Sequence, residues 1–210
     1  MSKPRKSAGW RGSEELWLKA AYEILIESGV DAVKVMTLAK RLNLSRTSFY
    51  WHFEDRDTLL NALIGRWQEK NTGNLISQTR AYAETITEAM LNLFDCWLNP
   101  ELFDARFDVA IRSWGQQDPK LKAIIEEVDT RRVAAIRAMF KRFGFRKAEA
   151  ETRALTVYYT QVGYISLMVR EPASARIRKM PGYVEIFTGI QPSKAEIRRF
   201  ASRHQENPWS

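Results

Sequence analysis

The sequence predicts an all-α protein, in which an N-terminal three-helix domain containing a helix-turn-helix is followed by a larger helical bundle. Apolar residues recur at helical spacing through most of the 210 residues, and no stretch alternates apolar and polar residues long enough to require a sheet. The predicted helices also lengthen after about residue 73. The parts that we expect are a flexible basic arm at 1–12, the helix-turn-helix domain at 13–54, a connecting helix at 55–72, a C-terminal domain at 73–205 and a tail at 206–210.

The first helix is predicted to begin after Ser13, because a serine hydroxyl can accept a hydrogen bond from a free N–H group of the first turn. Trp17 and Ile24 share one apolar face at helical spacing. Gly29 can adopt the left-handed conformation that ends many helices. We therefore expect one helix with a single buried face. The arm that precedes it carries only basic charges, at Lys3, Arg5, Lys6 and Arg11.

The residues that follow predict the helix-turn-helix, with short helices at about 35–42 and 46–52. Ala39 is small enough for the close approach of two helices that cross at a steep angle. Asn43 tolerates the left-handed backbone conformation that the turn between them requires. Ser45 can cap the second helix, so that the backbone of this helix is fixed at its start.

The first turn of this second helix is polar, with Arg46, Thr47 and Ser48. A helix that enters the major groove with its N-terminus first presents such side chains to the base edges, and an arginine there can bind guanine in bidentate fashion. Basic residues that could contact phosphates flank the helix at Lys34, Lys40, Arg41 and Arg56. Together with the formal net charge of +8, these residues predict binding to double-stranded DNA.

Longer helices are predicted beyond Gly73, which we expect to interrupt the connecting helix. They are expected at 78–98, 101–116, 119–143 and 147–170, with a shorter one at 193–202. A loop is expected where Pro172, Pro181 and Gly182 occur. Ser193 and Glu196 have the spacing of a capping box, which predicts the start of the last helix.

Aromatic residues are frequent in the segment 91–164, where facing helices could either close a solid core or leave an apolar pocket. Periodicity does not distinguish these alternatives. The candidate lining residues are Trp67, Phe94, Trp97, Phe107 and Trp114. Arg106 and Arg112 could meet an anionic ligand, although charged residues on helices usually face solvent. The helix at 147–170 has a broad apolar surface with Gly163, which suits either pairing with a second copy or packing within one subunit.

The composition excludes several kinds of site. The chain has one cysteine, Cys96, so it can form neither an internal disulfide nor a cysteine-based zinc site, as is typical of a reducing compartment. Charges interrupt every apolar stretch well before the roughly 18 residues that span a bilayer, and no signal peptide is visible. No Ser-His-Asp set, Cys-His pair or Gly-rich phosphate loop is present. We expect a cytoplasmic protein with no membrane contact, catalytic residues, metal site or cofactor.

Four runs of residues occur in one order: Gly29-Val30, then Leu38-Ala39-Lys40-Arg41-Leu42-Asn43-Leu44-Ser45, then Phe49-Tyr50-Trp51-His52-Phe53, then Leu59-Leu60. Together they cover about 16–64 and resemble the TetR family of bacterial regulators. The resemblance implies a transcriptional repressor that binds a palindromic operator as a homodimer and is released by a small-molecule effector. It also implies a pocket among the helices from about 81 to 143 and a dimer bundle formed by 147–170 and 193–202.

Carried over by position, the resemblance assigns DNA contacts to Arg46, Thr47, Ser48, Tyr50, Trp51 and His52. Arg56 stands where the family usually has a phosphate-binding lysine, and Asn43 stands where glycine is usual. Lys34 stands where a serine or threonine usually caps the helix. Because lysine cannot accept a hydrogen bond from the free N–H groups, we expect Lys34 to contact a backbone phosphate instead.

Two other functions stay open on the sequence. A nonspecific nucleic-acid or architectural protein would account for the basic arm, but it leaves the polar, capped first turn of the second helix without a purpose. A helical enzyme with buried carboxylates would show turnover or a bound metal, and a repressor predicts neither.

Overall fold

The computed structural model describes residues 12–204 and divides the chain into two compact units, of which the first ends at Trp67 and the second begins at Gln68. All regular secondary structure in these residues is helical, which confirms the predicted all-α class. Apart from Gly12, the predicted basic arm lies outside the described residues, as does the tail at 206–210.

Within residues 12–67, the first unit contains four α-helices. They are α1 (Glu14–Ser28), α2 (Val35–Leu42), α3 (Arg46–Phe49) and α4 (Arg56–Trp67), with a 3-10 turn at Val30–Ala32. Both predicted ends of α1 are confirmed, since the Ser13 hydroxyl accepts a hydrogen bond from the Leu16 N–H at 3.2 Å and Gly29 has a φ of 79°. The helix α3 is shorter than the predicted helix at 46–52. It ends at Phe49, and the chain continues in a turn.

The core of the first unit is apolar and centres on three aromatic rings. Trp17 meets Phe49 edge to face, with ring centroids 5.4 Å apart, and Phe53 stacks on Phe49 at 5.5 Å. Leu38 and Leu63 are fully buried with them. Because these residues come from α1, α2, α4 and the segment around α3, their packing fixes α3 against the rest of the unit.

The second unit begins with a π-helical segment, Gln68–Gly73, and continues with seven α-helices up to residue 204, the last of the described residues. They are α5 (Asn74–Arg80), α6 (Ile86–Leu98), α7 (Ala105–Gly115), α8 (Pro119–Arg142), α9 (Lys147–Ser166), α10 (Ala173–Thr188) and α11 (Lys194–His204). The prediction that Gly73 interrupts the helix is wrong, since Gly73 has helical angles and α5 follows it directly.

The predicted helix at 78–98 is two helices. The chain leaves the helical conformation at Ala81 and re-enters it at Thr85, whose hydroxyl accepts a hydrogen bond from the Glu88 N–H at 3.1 Å. The next helix begins later than predicted, after Asp104, for the same reason: its carboxylate caps the Phe107 N–H at 2.9 Å. Side-chain caps that hydropathy does not show thus set both starts.

The loop expected around Pro181 and Gly182 is wrong, because both residues lie inside α10. Proline in a helix interior removes one hydrogen bond and costs about 3 kcal/mol. Met180, Val184 and Phe187 have helical spacing and are all buried, and α10 packs against α6 and α9. Burial of this apolar face outweighs the cost of the proline.

The last helix starts at the predicted capping box. The Ser193 N–H donates to the Glu196 carboxylate at 2.6 Å, and the Glu196 N–H donates to the Ser193 hydroxyl at 3.2 Å. Glu196 also accepts hydrogen bonds from Thr85 and from Thr87 at the start of α6. Burial opposes ionisation of Glu196, but the hydrogen bonds from Thr85, Ser193 and Thr87 lower its pKa to about 2. The carboxylate therefore ties α11 to α6.

Cys96 lies on α6 within the core of the second unit. Burial raises the pKa of its thiol to about 12, so the thiol is protonated at neutral pH. None of the helices between residues 12 and 204 combines the length and the apolar character that crossing a bilayer requires.

Candidate functional sites

The turn between α2 and α3 has the predicted geometry. Asn43 adopts the left-handed conformation, with φ 53° and ψ 42°, and the Leu44 N–H donates to the Ala39 carbonyl at 2.9 Å. Ala39 itself is buried, which is consistent with a close approach of the two helices. The two helices and their turn therefore form the helix-turn-helix that the sequence predicts.

The helix α3 exposes two of the three residues in its first turn. Ser45 caps the helix by accepting a hydrogen bond from the Ser48 N–H at 3.2 Å, and Arg46 and Thr47 are exposed. Ser48 differs from the expectation, since it is 7% exposed and its hydroxyl lies 2.9 Å from that of Ser45. Ser48 thus supports the cap, and the candidate base-reading residues of this turn are Arg46 and Thr47.

Three aromatic or imidazole side chains follow α3, and they face different ways. Tyr50 is half exposed and Trp51 is 62% exposed, a large apolar surface to leave in water unless a partner covers it. His52 is half-buried, and its Nε2 atom is buried without a hydrogen-bond partner among the described residues. The surface that could meet DNA therefore contains Tyr50 and Trp51, whereas His52 points inward.

The basic residues around α3 differ in whether hydrogen bonds within the protein already engage them. Lys34 is exposed at the start of α2 and makes no capping hydrogen bond, as expected. Arg56 donates to the Val33 carbonyl at 2.6 Å and to the Val30 carbonyl at 2.8 Å, so it anchors the turn before α2. This role differs from the phosphate contact that the resemblance implies for Arg56.

Arg41 is likewise engaged within the unit, on the acidic side of α1. Its guanidinium donates to both carboxylate oxygens of Glu27, at 2.7 and 2.8 Å, and lies 3.1 Å from Glu23. The hydrogen bond with Glu27 raises the pKa of Arg41 further above its usual range. Lys34 and Lys40 remain the exposed cations of α2 that could contact phosphates.

A cleft in the second unit lies between α6, α9 and α10. The space between its walls is about 390 Å³ when the open mouth is included, and the interior cavity is only about 30 Å³. Its walls include Phe94 and Trp97, as predicted, together with Tyr183 and Phe187. Sequence reasoning missed the last two residues because it expected a loop before them. Two of the three helices also lie beyond 81–143, the region in which the resemblance implies a pocket.

The other three predicted pocket residues do not line this cleft. Trp67 is fully buried at the end of α4 in the first unit, and Phe107 is buried on α7. Trp114 is half-buried near the end of α7. For these three residues, the alternative of core packing fits the structure better.

Arg112, a predicted partner for an anionic ligand, belongs to a partly buried ionic network. It donates to Asp108 at 2.8 Å and to both oxygens of Asp129, at 2.9 and 2.6 Å. Arg132 donates to Asp108 at 3.0 Å, and Arg132 and Asp108 are each 1% exposed. The Tyr158 hydroxyl donates to Asp129 at 2.5 Å. The charge of Arg112 is therefore already balanced by the two aspartates. Arg106, the other residue predicted to meet an anionic ligand, is exposed.

The pKa values of the network follow from burial and charge. Burial alone would lower the pKa of Arg112, but hydrogen bonds to Asp129 and the charge of Asp108 raise it overall. Burial raises the pKa of Tyr158 above its usual range despite the two arginines. The guanidinium groups of Arg112 and Arg132 are consequently protonated, and Tyr158 is neutral, throughout the physiological range.

The π-helical segment is held by the same part of the molecule. The Asn71 side chain donates to the Asp104 carbonyl at 3.0 Å and accepts from the Asp104 N–H at 2.9 Å. Arg132 donates to the Thr72 hydroxyl at 2.9 Å. A π turn in a helix is rare and often marks a functional position. Among the described residues, no group of three or more His, Cys, Asp or Glu residues is arranged to hold a metal ion.

Comparison with known proteins gives a family match within the first unit and two partial matches to curated relatives. A sequence model of the family described as bacterial regulatory proteins, tetR family, matches residues 18–63. The tetracycline repressor protein class A from transposon 1721 of Escherichia coli is 41% identical over 46 residues, which are 22% of this chain and 21% of that protein. The tetracycline repressor protein class G of Vibrio anguillarum is 30% identical over 76 residues, or 36% of each protein. The matches thus span only 21% and 36% of these relatives.

Structural comparison extends the likeness from the helix-turn-helix to the fold of most of this chain. GusR of Salmonella enterica superposes with a TM-score of 0.64 at 18% identity, over 85% of this chain and 94% of that chain. At this identity the likeness concerns the fold. It agrees with the predicted architecture of a helix-turn-helix domain followed by a helical domain.

Proposed function

We propose that this chain, whose residues 18–63 match the model of the bacterial regulatory proteins of the tetR family, is a transcriptional repressor of that family that binds a palindromic DNA operator as a homodimer. The observation that carries the proposal is the surface of α3, where Arg46 and Thr47 are exposed on a turn that Ser45 caps and an apolar core holds. The family is one of regulators, and we assign the protein to the cytoplasm, where bacterial DNA is found.

The exposed residues have distinct roles in this proposal. Arg46 and Thr47 contact base edges in the major groove, with Arg46 suited to guanine. Tyr50, Trp51 and Lys34 contact the backbone or the adjacent base edges and set the position of α3 in the groove. In a homodimer that binds two half-sites one helical turn apart, the two copies of α3 must stand about 34 Å apart.

The proposed dimer surface consists of α9 and α10. The exposed side of α9 carries Thr152, Thr156 and Tyr159 at helical spacing, and Tyr159 is a large side chain that is 63% exposed, as is common where a partner covers a surface. On α10, Ile186 is 72% exposed. This surface replaces the predicted contribution of 193–202, because the apolar residue Phe200 of α11 is buried within the second unit.

The regulatory part of the proposal places a small-molecule effector in the second unit. An effector releases the operator only if it binds more tightly to a protein conformation with low affinity for DNA. The loss of DNA affinity cannot exceed the difference between the effector's affinities for the two conformations. The chain passes from α4 straight into the π-helical segment, whose Asn71 and Thr72 are bonded to residues of the second unit. The residues that make these bonds directly follow α4 in the sequence. A rearrangement of the bonds would therefore affect the segment next to the DNA-binding domain.

Selection of bound sites from random duplexes with the purified chain tests the proposal. We expect a palindromic consensus, and we expect Arg46→Ala to cost about 1–3 kcal/mol of binding free energy and to relax the preference at one position of each half-site. Thr47→Ala should alter a neighbouring position. Lys19→Ala, which removes an exposed charge on α1, is the matched control and should leave the consensus unchanged.

The rival function gives a different result in the same experiment. A nonspecific or architectural binder would show salt-dependent affinity for every sequence alike, with no enrichment and no selective effect of Arg46→Ala. That outcome would overturn the proposal.

A further inference from the structure

The cleft between α6, α9 and α10 has an aromatic wall built for flat apolar groups. Phe187 stacks on Phe94 with ring centroids 6.2 Å apart and on Tyr183 at 5.9 Å, with interplanar angles of 22° and 24°. Trp97 meets Phe94 edge to face at 5.8 Å. Roughly parallel rings of this kind favour a further ring stacked beside them.

A buried amide in this cleft has no partner of its own. Gln161 on α9 is 9% exposed, its side chain lines the cleft, and it makes no hydrogen bond with any of the described residues. The amide atoms of Gln161 still contact the solvent of the cleft, since neither is among the fully enclosed unpartnered atoms of the described residues, so a ligand that displaces this solvent must replace its hydrogen bonds. A ligand that carries a hydroxyl or carbonyl group would do so.

The rim of the cleft offers one available cation. Arg176 on α10 lies over the ring of Tyr164, with its guanidinium 4.7 Å from the ring centroid. Its charge helps to lower the pKa of Glu171, although no ion pair within 4.0 Å joins Arg176 to another described residue. The carboxylate at the same rim is already occupied, since Glu171 accepts hydrogen bonds from Tyr164 at 3.0 Å and from Lys179. The rim therefore attracts an anionic group, and its geometry suits a planar carboxylate.

We propose that this cleft binds an aromatic carboxylate. The ring of the ligand stacks among Phe94, Tyr183 and Phe187, the carboxylate pairs with Arg176, and a polar ring substituent bonds to Gln161. The interior cavity of about 30 Å³ is too small for an aromatic ring, so binding of this ligand requires the Arg176 and Tyr164 side chains to move apart. The role of such a compound as the effector rests on the function proposed above. Its binding to the cleft is independent of that function.

Calorimetric titration of the full chain tests this site without DNA. The probes are benzoate, cinnamate, 2-naphthoate and 6-hydroxy-2-naphthoate, with 2-naphthamide as the uncharged match. We expect saturable binding of at least one carboxylate at one site per chain, and at least tenfold weaker binding of 2-naphthamide. Arg176→Gln should weaken binding of the same carboxylate at least tenfold, and Gln161→Leu should remove the advantage of the hydroxylated probe.

Arg178→Gln is the matched control, because Arg178 is an exposed arginine on the same helix and does not line the cleft. It should change the affinity less than twofold. Circular dichroism of each variant shows whether the helices are intact. Absence of saturable binding by every carboxylate, or equal binding by the folded Arg176→Gln variant and the original chain, overturns the inference.

Release of a selected operator duplex, followed by fluorescence anisotropy, separates this inference from the function that it rests on. A carboxylate that binds with the expected dependence on Arg176 and leaves the operator complex intact supports the site and contradicts its role as the effector site. Release that is lost with Arg176→Gln supports both.

Discussion

The two units are stabilised in different ways. The core of the first unit is apolar, and its ion pair between Arg41 and Glu27 lies at the surface. The core of the second unit encloses the ion pair between Asp108 and Arg132. An apolar core keeps its shape under many charge changes, whereas a buried ion pair is stable only while both partners are present. The first unit is thus a fixed platform for α3, and the second depends on a few specific contacts.

The largest expected effect follows from breaking the buried pair. Asp108→Asn leaves Arg132 buried without its carboxylate and should lower the free energy of unfolding of the second unit by about 3–5 kcal/mol. Hydrogen exchange of the α8 amides in increasing urea measures this loss. Glu27→Gln is the matched change at the surface pair of the first unit, and its effect should be far smaller because water screens that pair. Equal losses would contradict the contrast between the units.

A second prediction concerns what each unit exposes. The exposed side chains of α3 are suited to DNA, whereas Ile186 on α10 is suited to a second copy of the chain. Ile186→Glu places an unpaired charge in the proposed dimer surface, so sedimentation should show dissociation and operator affinity should fall at least about tenfold. Tyr82→Glu, at a highly exposed residue between α5 and α6, is the control. A dimer that survives Ile186→Glu would place the interface elsewhere.

The smallest expected effect compares one helix cap in each unit. Ser45→Ala removes the cap of α3, and Ser193→Ala removes half of the capping box of α11. Each should cost about 1 kcal/mol, seen as faster hydrogen exchange at the Ser48 and Glu196 amides respectively. Only Ser45→Ala should also weaken operator binding. Equal weakening of operator binding by both variants would show that the position of α3 also depends on contacts in the second unit.

The sequence predicted the helix-turn-helix well because the interactions that form it are local. Asn43 in its left-handed conformation and the Ser45 cap depend on residues within five positions, and the structure has both as expected. The fold class followed from apolar periodicity in the same way. Arg56 was harder to interpret, because its bonds reach carbonyls 23 and 26 residues earlier in the chain.

The second unit was predicted less well because distant contacts decide its details. Pro181 and Gly182 indicate a loop locally, yet burial of Met180, Val184 and Phe187 keeps α10 helical. As a result, the aromatic wall of the cleft was only half identified. The spacing of Asp108 and Arg112 by four residues does indicate an ion pair, but nothing local shows that Asp129 completes it.

The burial of Cys96 makes this chain convenient for spectroscopy. It is the one thiol in the sequence, it is enclosed in the core, and it is protonated at neutral pH, so thiol-directed dyes find no accessible target in the folded protein. A cysteine introduced at an exposed residue would therefore be labelled alone. Pairs of such labels, one on each copy of α3, would report directly on the separation of the two DNA-binding helices in solution.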